Sequence, residues 1–480
     1  MKKIFLLAAV IAGLATSAFA KDGYKITLKF TDLNLKDSLV YLAHYYGKPL
    51  PTIYKADSAR FDKNNVAVFE SKDKEIGGIY IMLLSDHKTY FEFLLNNGDD
   101  MTITAKSTEL PEGLVFKGSP ENERFITYQK YLKEFGGRQQ KLQQDFTQAK
   151  TGADTAAVRA RATAASKELI AYRTDYVAKY PGTLLANLFN ALWIPQVPEG
   201  KHLNKDGTVD STFPYIYYKS HYWDKFDFKD DRLVQTPIYE AKIEEYFNKL
   251  VLPYVDSVEK EADTILARTR GQKELFKYNL WWLTRNAEGS KVMGMDEVFV
   301  YLVEKYYMKG DAYWLKPEDL QKYTEQAQKI APNVVGNIAP EIKMQDFGGK
   351  SVPLSSIDAK YTLLIFWAPG CGHCQEMMPK IDSVYRASLK AKGVKIYAVR
   401  TEDDPQQWQD YIKKHNLQDW THVYDPERHS DFRSKYNVYS TPVIYLLDER
   451  KIIIGKRLDQ SNIGQVIEMH ERKGKAAQAK

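Results

Sequence analysis

Between residues 24 and 30, Tyr24, Ile26, Leu28 and Phe30 alternate with Lys25, Thr27 and Lys29. A period of two places the apolar set on one face of a half-buried strand. Further strands are expected at 38–46, 66–70, 78–84, 89–95 and 101–105, with the turn Asn96-Asn97-Gly98-Asp99 between the last two. No helix-length periodic segment interrupts them. Residues 21–119 are therefore expected to form an antiparallel β-sandwich of about six to eight strands. They hold no cluster of acids, histidines or glycines that suggests chemistry, and read as a binding or spacer module.

The period changes at Ser119-Pro120, where Ser119 suits an N-cap and Pro120 the first helical position. Helices are expected after Asp154 to 179, stopped by Pro181-Gly182, and over 183–193, 236–250, 256–270 and 272–285. Two more are expected over 297–308, capped by Asp296, and over 318–330, opened by Pro317. Residues 195–213, with Gly200 and Gly207, read as a long loop. Residues 120–331 are thus an all-α middle domain. Its aromatics, among them Trp281, Trp282, Tyr306, Tyr307 and Trp314, are read as helix packing in preference to a ligand groove.

From residue 332 the pattern is α/β. A short hairpin surrounds Phe347-Gly348-Gly349-Lys350. Residues 361–367 are a near-continuous apolar run, as in the buried centre of a sheet. A helix to 392, a strand at 394–400, a helix at 405–415, a strand near 422–424 and a helix at 427–436 follow. Paired strands at 443–447 and 452–455 and a helix at 461–472 complete it. A βαβ unit followed by an antiparallel pair and a helix makes a mixed sheet with helices on both faces. This α/β domain spans 332–472, leaving a basic tail at 473–480.

Length agrees with several domains, since 480 residues exceed one ordinary core. A hydrophobic content of 44% with 13% aromatics excludes wholesale disorder. Residues 1–20 read as a cleavable signal peptide. Lys2 and Lys3 are its positive region, 4–14 an apolar run too short to span a bilayer, and Ala18-Phe19-Ala20 a cleavage site. Lys21 in place of a cysteine disfavours a lipid anchor. No later segment is apolar for long enough to cross a membrane, so the expected location is the periplasm. Of the net charge of +6, Lys2 and Lys3 supply +2 and residues 471–480 supply +3. The near-neutral remainder has no basic stripe for nucleic acid.

Chemistry concentrates in Trp367-Ala368-Pro369-Gly370-Cys371-Gly372-His373-Cys374, which contains the only two cysteines. Cysteines at i and i+3 on a first helical turn share a face and lie within disulfide reach. The first sulfur sits at the positive end of a helix dipole, which favours a thiolate. A purely structural disulfide fits poorly, because closing so short a loop removes little unfolded-chain entropy.

Over about residues 333–472 the chain resembles the thioredoxin superfamily, in particular its TlpA/ResA-like branch. The resemblance rests on Phe366-Trp367-Ala368, Cys371-Gly372-His373-Cys374, Pro379 and Thr441-Pro442, with Ala339-Pro340, Leu354-Ser355 and Leu446-Leu447-Asp448. More loosely, the whole arrangement is similar to three-part Bacteroidetes proteins with uncharacterised N-terminal β and helical parts. Gly118-Ser119-Pro120-Glu121-Asn122 is similar to their junction. The resemblance implies a C-terminal thioredoxin fold and a thiol–disulfide oxidoreductase. Cys371 would be the nucleophile and Cys374 the resolving cysteine. Gly372, His373, Trp367, Thr441 and Pro442 would tune the pair or contact substrate, with a cis bond at Thr441–Pro442. The implied partners are protein thiols or disulfides and a redox partner that supplies or removes electrons.

The chain departs from that pattern in three places. Ile365 stands where many thioredoxins keep a buried Asp. Met377, beside Glu376, stands where the branch often has a Glu, and Gly370 replaces the usual Trp. Glu376, Glu402 and water remain as alternative proton acceptors for Cys374. His373 between the cysteines, as in protein disulfide isomerases, would favour the Cys371 thiolate.

Copper or zinc on Cys371, His373 and Cys374 is the competing chemistry. No second CxxC completes a structural zinc site, and no distant His is identifiable among His415, His422 and His429. Gln375 stands where covalent haem needs His. No metal and no cofactor are therefore expected. A non-enzymatic exported binding protein on a thioredoxin scaffold, or a copper-handling relative, is the alternative.

Overall fold

The computed structural model describes residues 22–402 and 404–478. The signal peptide expected at 1–20 and the last two residues of the tail lie outside them. The chain divides into two compact units, one of residues 1–250 with 269–275 and the other of 251–268 with 276–480. Among the described residues, no helix is long and apolar enough to cross a membrane.

The first unit begins with eight strands: β1 (Tyr24–Phe30), β2 (Leu39–His44), β3 (Tyr54–Arg60), β4 (Val66–Ser71), β5 (Gly78–Leu84), β6 (Tyr90–Leu95), β7 (Asp100–Ala105) and β8 (Val115–Lys117). They form two four-stranded sheets, ordered β4-β1-β7-β8 and β3-β2-β5-β6. Inward residues of both sheets, such as Ile26, Leu28 and Ile103 from one and Leu42, Met82 and Phe93 from the other, share one core. The pairings are antiparallel as expected except β1–β7, which is parallel.

Helices α1 (Pro120–Gln148) and α2 (Gly152–Lys179) follow as a hairpin, then α3 (Leu184–Ala191), α4 (Phe213–His221) and α5 (Tyr239–Glu245). A capping box between Thr151 and Asp154 starts α2, a turn earlier than Asp154 alone predicts. Tyr131 and Tyr172 stack across the hairpin with ring centroids 4.7 Å apart.

The junction at Gly118-Ser119-Pro120-Glu121-Asn122 is a structural clasp. Asn122 is fully buried, and its amide both accepts from Leu94 N–H and donates to Leu94 C=O, each at 2.7 Å. It replaces a missing strand neighbour for β6. Glu121 accepts from Leu185 N–H at the start of α3 (2.8 Å). A Cβ on Gly118, whose φ is +89°, would lie 2.5 Å from Asp100 O.

Helices α6 (Val255–Thr269), α7 (Lys273–Glu288), α8 (Met295–Leu302) and α9 (Pro317–Ile330) come next. Gly294, at φ +92°, precedes α8. Asp296 is therefore not the cap that its sequence position suggests. It pairs instead with Lys456, a buried cation that also donates to Asn333 Oδ1 at 2.8 Å.

The α/β part contains β9 (Lys343–Gln345), β10 (Ser351–Pro353), β11 (Tyr361–Trp367), β12 (Val394–Arg400), β13 (Thr421–Val423), β14 (Val443–Leu447) and β15 (Ile453–Lys456), with α10 (Gly372–Val384), α11 (Pro405–Lys414), α12 (Phe432–Lys435) and α13 (Ile463–Gln478). The expected mixed sheet has the order β13-β12-β11-β14-β15. The β11–β12 and β12–β13 pairs are parallel, and β11–β14 and β14–β15 antiparallel. Every residue of β11 is buried. Leu363, Ile365 and Trp367 face a core with Cys374, Met378 and Ile381, while Leu364 and Phe366 face another with Tyr397, Tyr436 and Tyr445. Packing on both faces explains the near-continuous apolar run.

Two helix expectations are corrected here. The helix read at 427–436 is only α12, because Arg428 and Asp431 adopt positive φ and the Asp425 carboxylate ties down the N–H groups of His429 and Ser430. In the tail, α13 continues past Arg472 to Gln478. Its Ala, Lys and Gln are good helix formers, and Glu471 pairs with Lys360 at 2.6 Å.

Candidate active site

The site stands where β11 ends. Thr401 donates its N–H (3.0 Å) and its hydroxyl (3.2 Å) to Trp367 C=O, which fixes the strand end against the end of β12. The chain then turns through Ala368-Pro369-Gly370, with Cys371 N–H donating to Ala368 C=O. Gln375 locks this turn by donating its side-chain amide to Pro369 C=O at 2.8 Å.

Cys371 is the N-cap residue of α10 and is partly exposed. Cys374, one turn inside, is fully buried. Both are free thiols. The Cys371 thiol lies 3.2 Å from Thr441 C=O, and the Thr441–Pro442 peptide is cis. Thr441 reaches the site because β14, which follows it, pairs with β11 so that Val443 faces Phe366.

The two sulfurs differ electrostatically. Burial acts upward on Cys371, but hydrogen bonding to Thr441, to Cys374 and to the backbone N–H groups of Cys374 and His373 outweighs it. The thiol is left more acidic than an ordinary cysteine. Burial pushes Cys374 up to about 12. One cysteine is poised to ionise and the other holds its proton.

The remaining sequence candidates fall around this pair. Trp367 is fully buried, 5.2 Å from the Tyr411 ring, and its Nε1 has no hydrogen-bond partner among the described residues. Gly372 and His373 are exposed beside the sulfurs. Pro379 lies inside α10. Ile365 and Met377 both pack in the core around Cys374. Glu402 accepts from Gly370 N–H at 3.2 Å, whereas Glu376 is exposed on α10. A Cβ on Gly370 would lie 2.9 Å from a Glu402 carboxylate oxygen, so the small residue makes room for this contact.

Two further groups stand near the pair: Tyr411, which the sequence does not single out, and His422, which it offers only as a metal-ligand candidate. Tyr411 donates to Gln375 C=O at 3.1 Å, and its hydroxyl is pushed up to about 12 by burial and then by the charge of Cys374. It is thus an ionisable group within the field of Cys374. His422 is buried among Trp367, Trp408 and Trp420 with its pKa lowered to about 4 by burial. Its Nε2 contacts Leu417 C=O at 2.8 Å. Trp408 and Tyr411 lie on the buried face of α11, and the sequence pattern predicts the helix without placing that face beside the cysteines.

Residues 335–456 match the AhpC/TSA family, residues 24–125 a domain of unknown function, DUF4369, and residues 208–333 another, DUF5106. A thioredoxin-like protein of Haemophilus influenzae is 32% identical over 23% of this chain and 64% of its own length. The thiol–disulfide oxidoreductase ResA of Oceanobacillus iheyensis is 26% identical over 24% of this chain and 59% of its own length. Among solved structures, a domain of a possible thiol–disulfide isomerase from Cytophaga hutchinsonii is 36% identical, with a TM-score of 0.29, over 30% of this chain and 99% of that one. The chain spans about three fifths of the length of the first curated relatives it matches, 64% and 58%. With the mixed sheet, the dithiol at the start of α10 and the cis-proline loop against it, the C-terminal part of this chain belongs to the thioredoxin-like AhpC/TSA family.

Proposed function

We propose that the chain is an exported thiol–disulfide oxidoreductase that reduces or isomerises disulfides of protein substrates through Cys371 and Cys374. The observation that carries this reading is the asymmetry of the pair, a partly exposed, acidified thiol at a helix N-terminus over a buried one held near 12.

The Cys371 thiolate attacks one sulfur of a substrate disulfide. A Cys371–substrate disulfide forms, and the other substrate sulfur leaves as a thiolate and takes up a proton. Cys374 then loses its proton and attacks the Cys371 sulfur, which releases the second substrate thiolate and closes Cys371–Cys374. Two electrons have passed from the dithiol to the substrate. A dithiol redox partner returns them by the same steps in reverse. Isomerisation follows when a different substrate thiolate, not the one just released, attacks the substrate sulfur of the mixed disulfide before Cys374 does, which forms a new substrate disulfide and frees the Cys371 thiolate.

The Thr441 carbonyl offers a backbone acceptor beside Cys371, where an extended substrate segment can lie against the 441–442 loop. Glu402 lies beside the turn that precedes Cys371, where it accepts from Gly370 N–H. The His373 backbone N–H favours the Cys371 thiolate by hydrogen bonding. We assign the functional boundaries at 119/120 and 331/332 and leave the two N-terminal parts outside the chemistry.

Trapping tests the reading. Cys374→Ala should accumulate disulfide-linked substrate proteins on Cys371 in periplasmic extracts, and Cys371→Ser with Cys374→Ala should not. Absence of any linked protein in the single variant would remove protein disulfides as substrates.

A further inference from the structure

We propose that the first unit carries a second binding site, unrelated to the dithiol, for an amphiphile with an apolar chain and a carboxylate head. The site is a cleft of about 720 Å³ between the α1–α2 hairpin and the segment that follows α3. Its volume falls within the range of small-molecule sites. The walls are apolar, with Phe135, Leu169, Ile170, Leu192, Trp193 and Ile194. Ile170 and Ile194 are 40% and 54% exposed and line the same concavity, so they present apolar surface to an occupant.

The charge in the cleft has one sign. Arg173 and Lys225 line it, and no Asp or Glu does. Arg173 is half-buried, and its Nε (3.0 Å) and Nη2 (2.6 Å) both donate to Tyr128 Oη. Its guanidinium lies over the Phe189 ring, 6.0 Å from the centroid. Among the described residues Nη1 has no partner, and neither Arg173 nor Lys225 has a carboxylate within ion-pair distance. A guanidinium held in place by a phenol and an aromatic face, with donors still open, suits a planar carboxylate. Apolar walls that expose isoleucine suit a hydrocarbon chain. A cationic or purely apolar occupant would leave this positive charge uncompensated, and an acidic peptide would leave the walls uncovered.

The test is calorimetric titration of the full chain with sodium dodecanoate, dodecyltrimethylammonium and dodecanol, each below its micelle concentration. Dodecanoate should bind at one site, and the cation not at all. Arg173→Gln should weaken dodecanoate by about tenfold or more, the scale of a charged hydrogen bond. Lys225→Gln, at an exposed position that folding does not depend on, should weaken it less, and Ile170→Asp should abolish it. Disulfide reduction should be unchanged in all three variants. Three results overturn the proposal: no binding of dodecanoate, equal binding of all three compounds, or wild-type affinity in both charge variants. Concentration-dependent dimerisation lost in Ile170→Asp would also overturn it, by assigning the cleft to a second copy.

Discussion

The thiol of Cys371 lies 3.2 Å from the carbonyl oxygen of Thr441, the residue before the cis-proline, although seventy positions separate them in the chain. The contact follows from the antiparallel register of β11 and β14, which sets Val443 opposite Phe366. The Cys371 thiol and the Thr441 carbonyl are therefore brought together by one sheet, and core packing fixes their spacing.

The acidity difference between the cysteines is directly measurable. In Cys374→Ala, alkylation of Cys371 should reach half its maximal rate below pH 9.0, the ordinary thiol value, because the thiolate persists to lower pH. In Cys371→Ser, Cys374 should stay unreactive until the pH approaches about 12. Equal midpoints in the two variants would contradict the assignment of nucleophile and resolving cysteine.

His422 gives the protein an acid-sensitive core. Its pKa falls from 6.5 to about 4 on folding because burial opposes the charged ring. A depressed folded pKa contributes stability that is present above 6.5 and lost as pH falls toward 4. The full difference is worth about 3 kcal/mol. Urea unfolding of His422→Asn at neutral and acid pH should show a smaller acid loss than the wild type. An unchanged loss would place the acid sensitivity elsewhere.

Lys456 and Asp296 form a buried ion pair in the second unit. Asp296→Ala leaves the ammonium with Asn333 and should cost about 3–5 kcal/mol. Lys456→Met combined with Asp296→Leu should recover most of that loss in urea unfolding, since an apolar pair removes the stranded charge. A double variant as unstable as Asp296→Ala would contradict a desolvation penalty as the cause.

Asn122 stands in for a strand neighbour by satisfying both backbone groups of Leu94. Asn122→Ala should destabilise the first unit by about 2–3 kcal/mol by leaving them buried and unpaired. Amide exchange at Leu94 should accelerate with it. Unchanged exchange would mean that another group fills the role.

What the sequence exposed and what it hid follow from range. The near-continuous apolar run of β11 and the Cys371/Cys374 spacing are local signals, and both lead to the site. Polar β3 is largely exposed at a sheet edge and shows no two-residue alternation, so it escaped notice. The parallel β1–β7 pairing depends on a register between distant segments that no local pattern encodes. Asp296 looked like a helix cap because its partner Lys456 lies far along the chain. Tyr411 and His422 hid for the same reason, as residues of an ordinary amphipathic helix and a short strand whose contacts with Trp367 arise only in the folded sheet.

The most direct test of the central claim is insulin disulfide reduction driven by a dithiol reductant, with wild type, Cys371→Ser and Cys374→Ser compared at equal concentration. The account predicts catalysed reduction by the wild type, none above the reductant alone for Cys371→Ser, and stalling with insulin chains linked to Cys371 for Cys374→Ser. Wild-type and Cys371→Ser proteins of equal activity would contradict it.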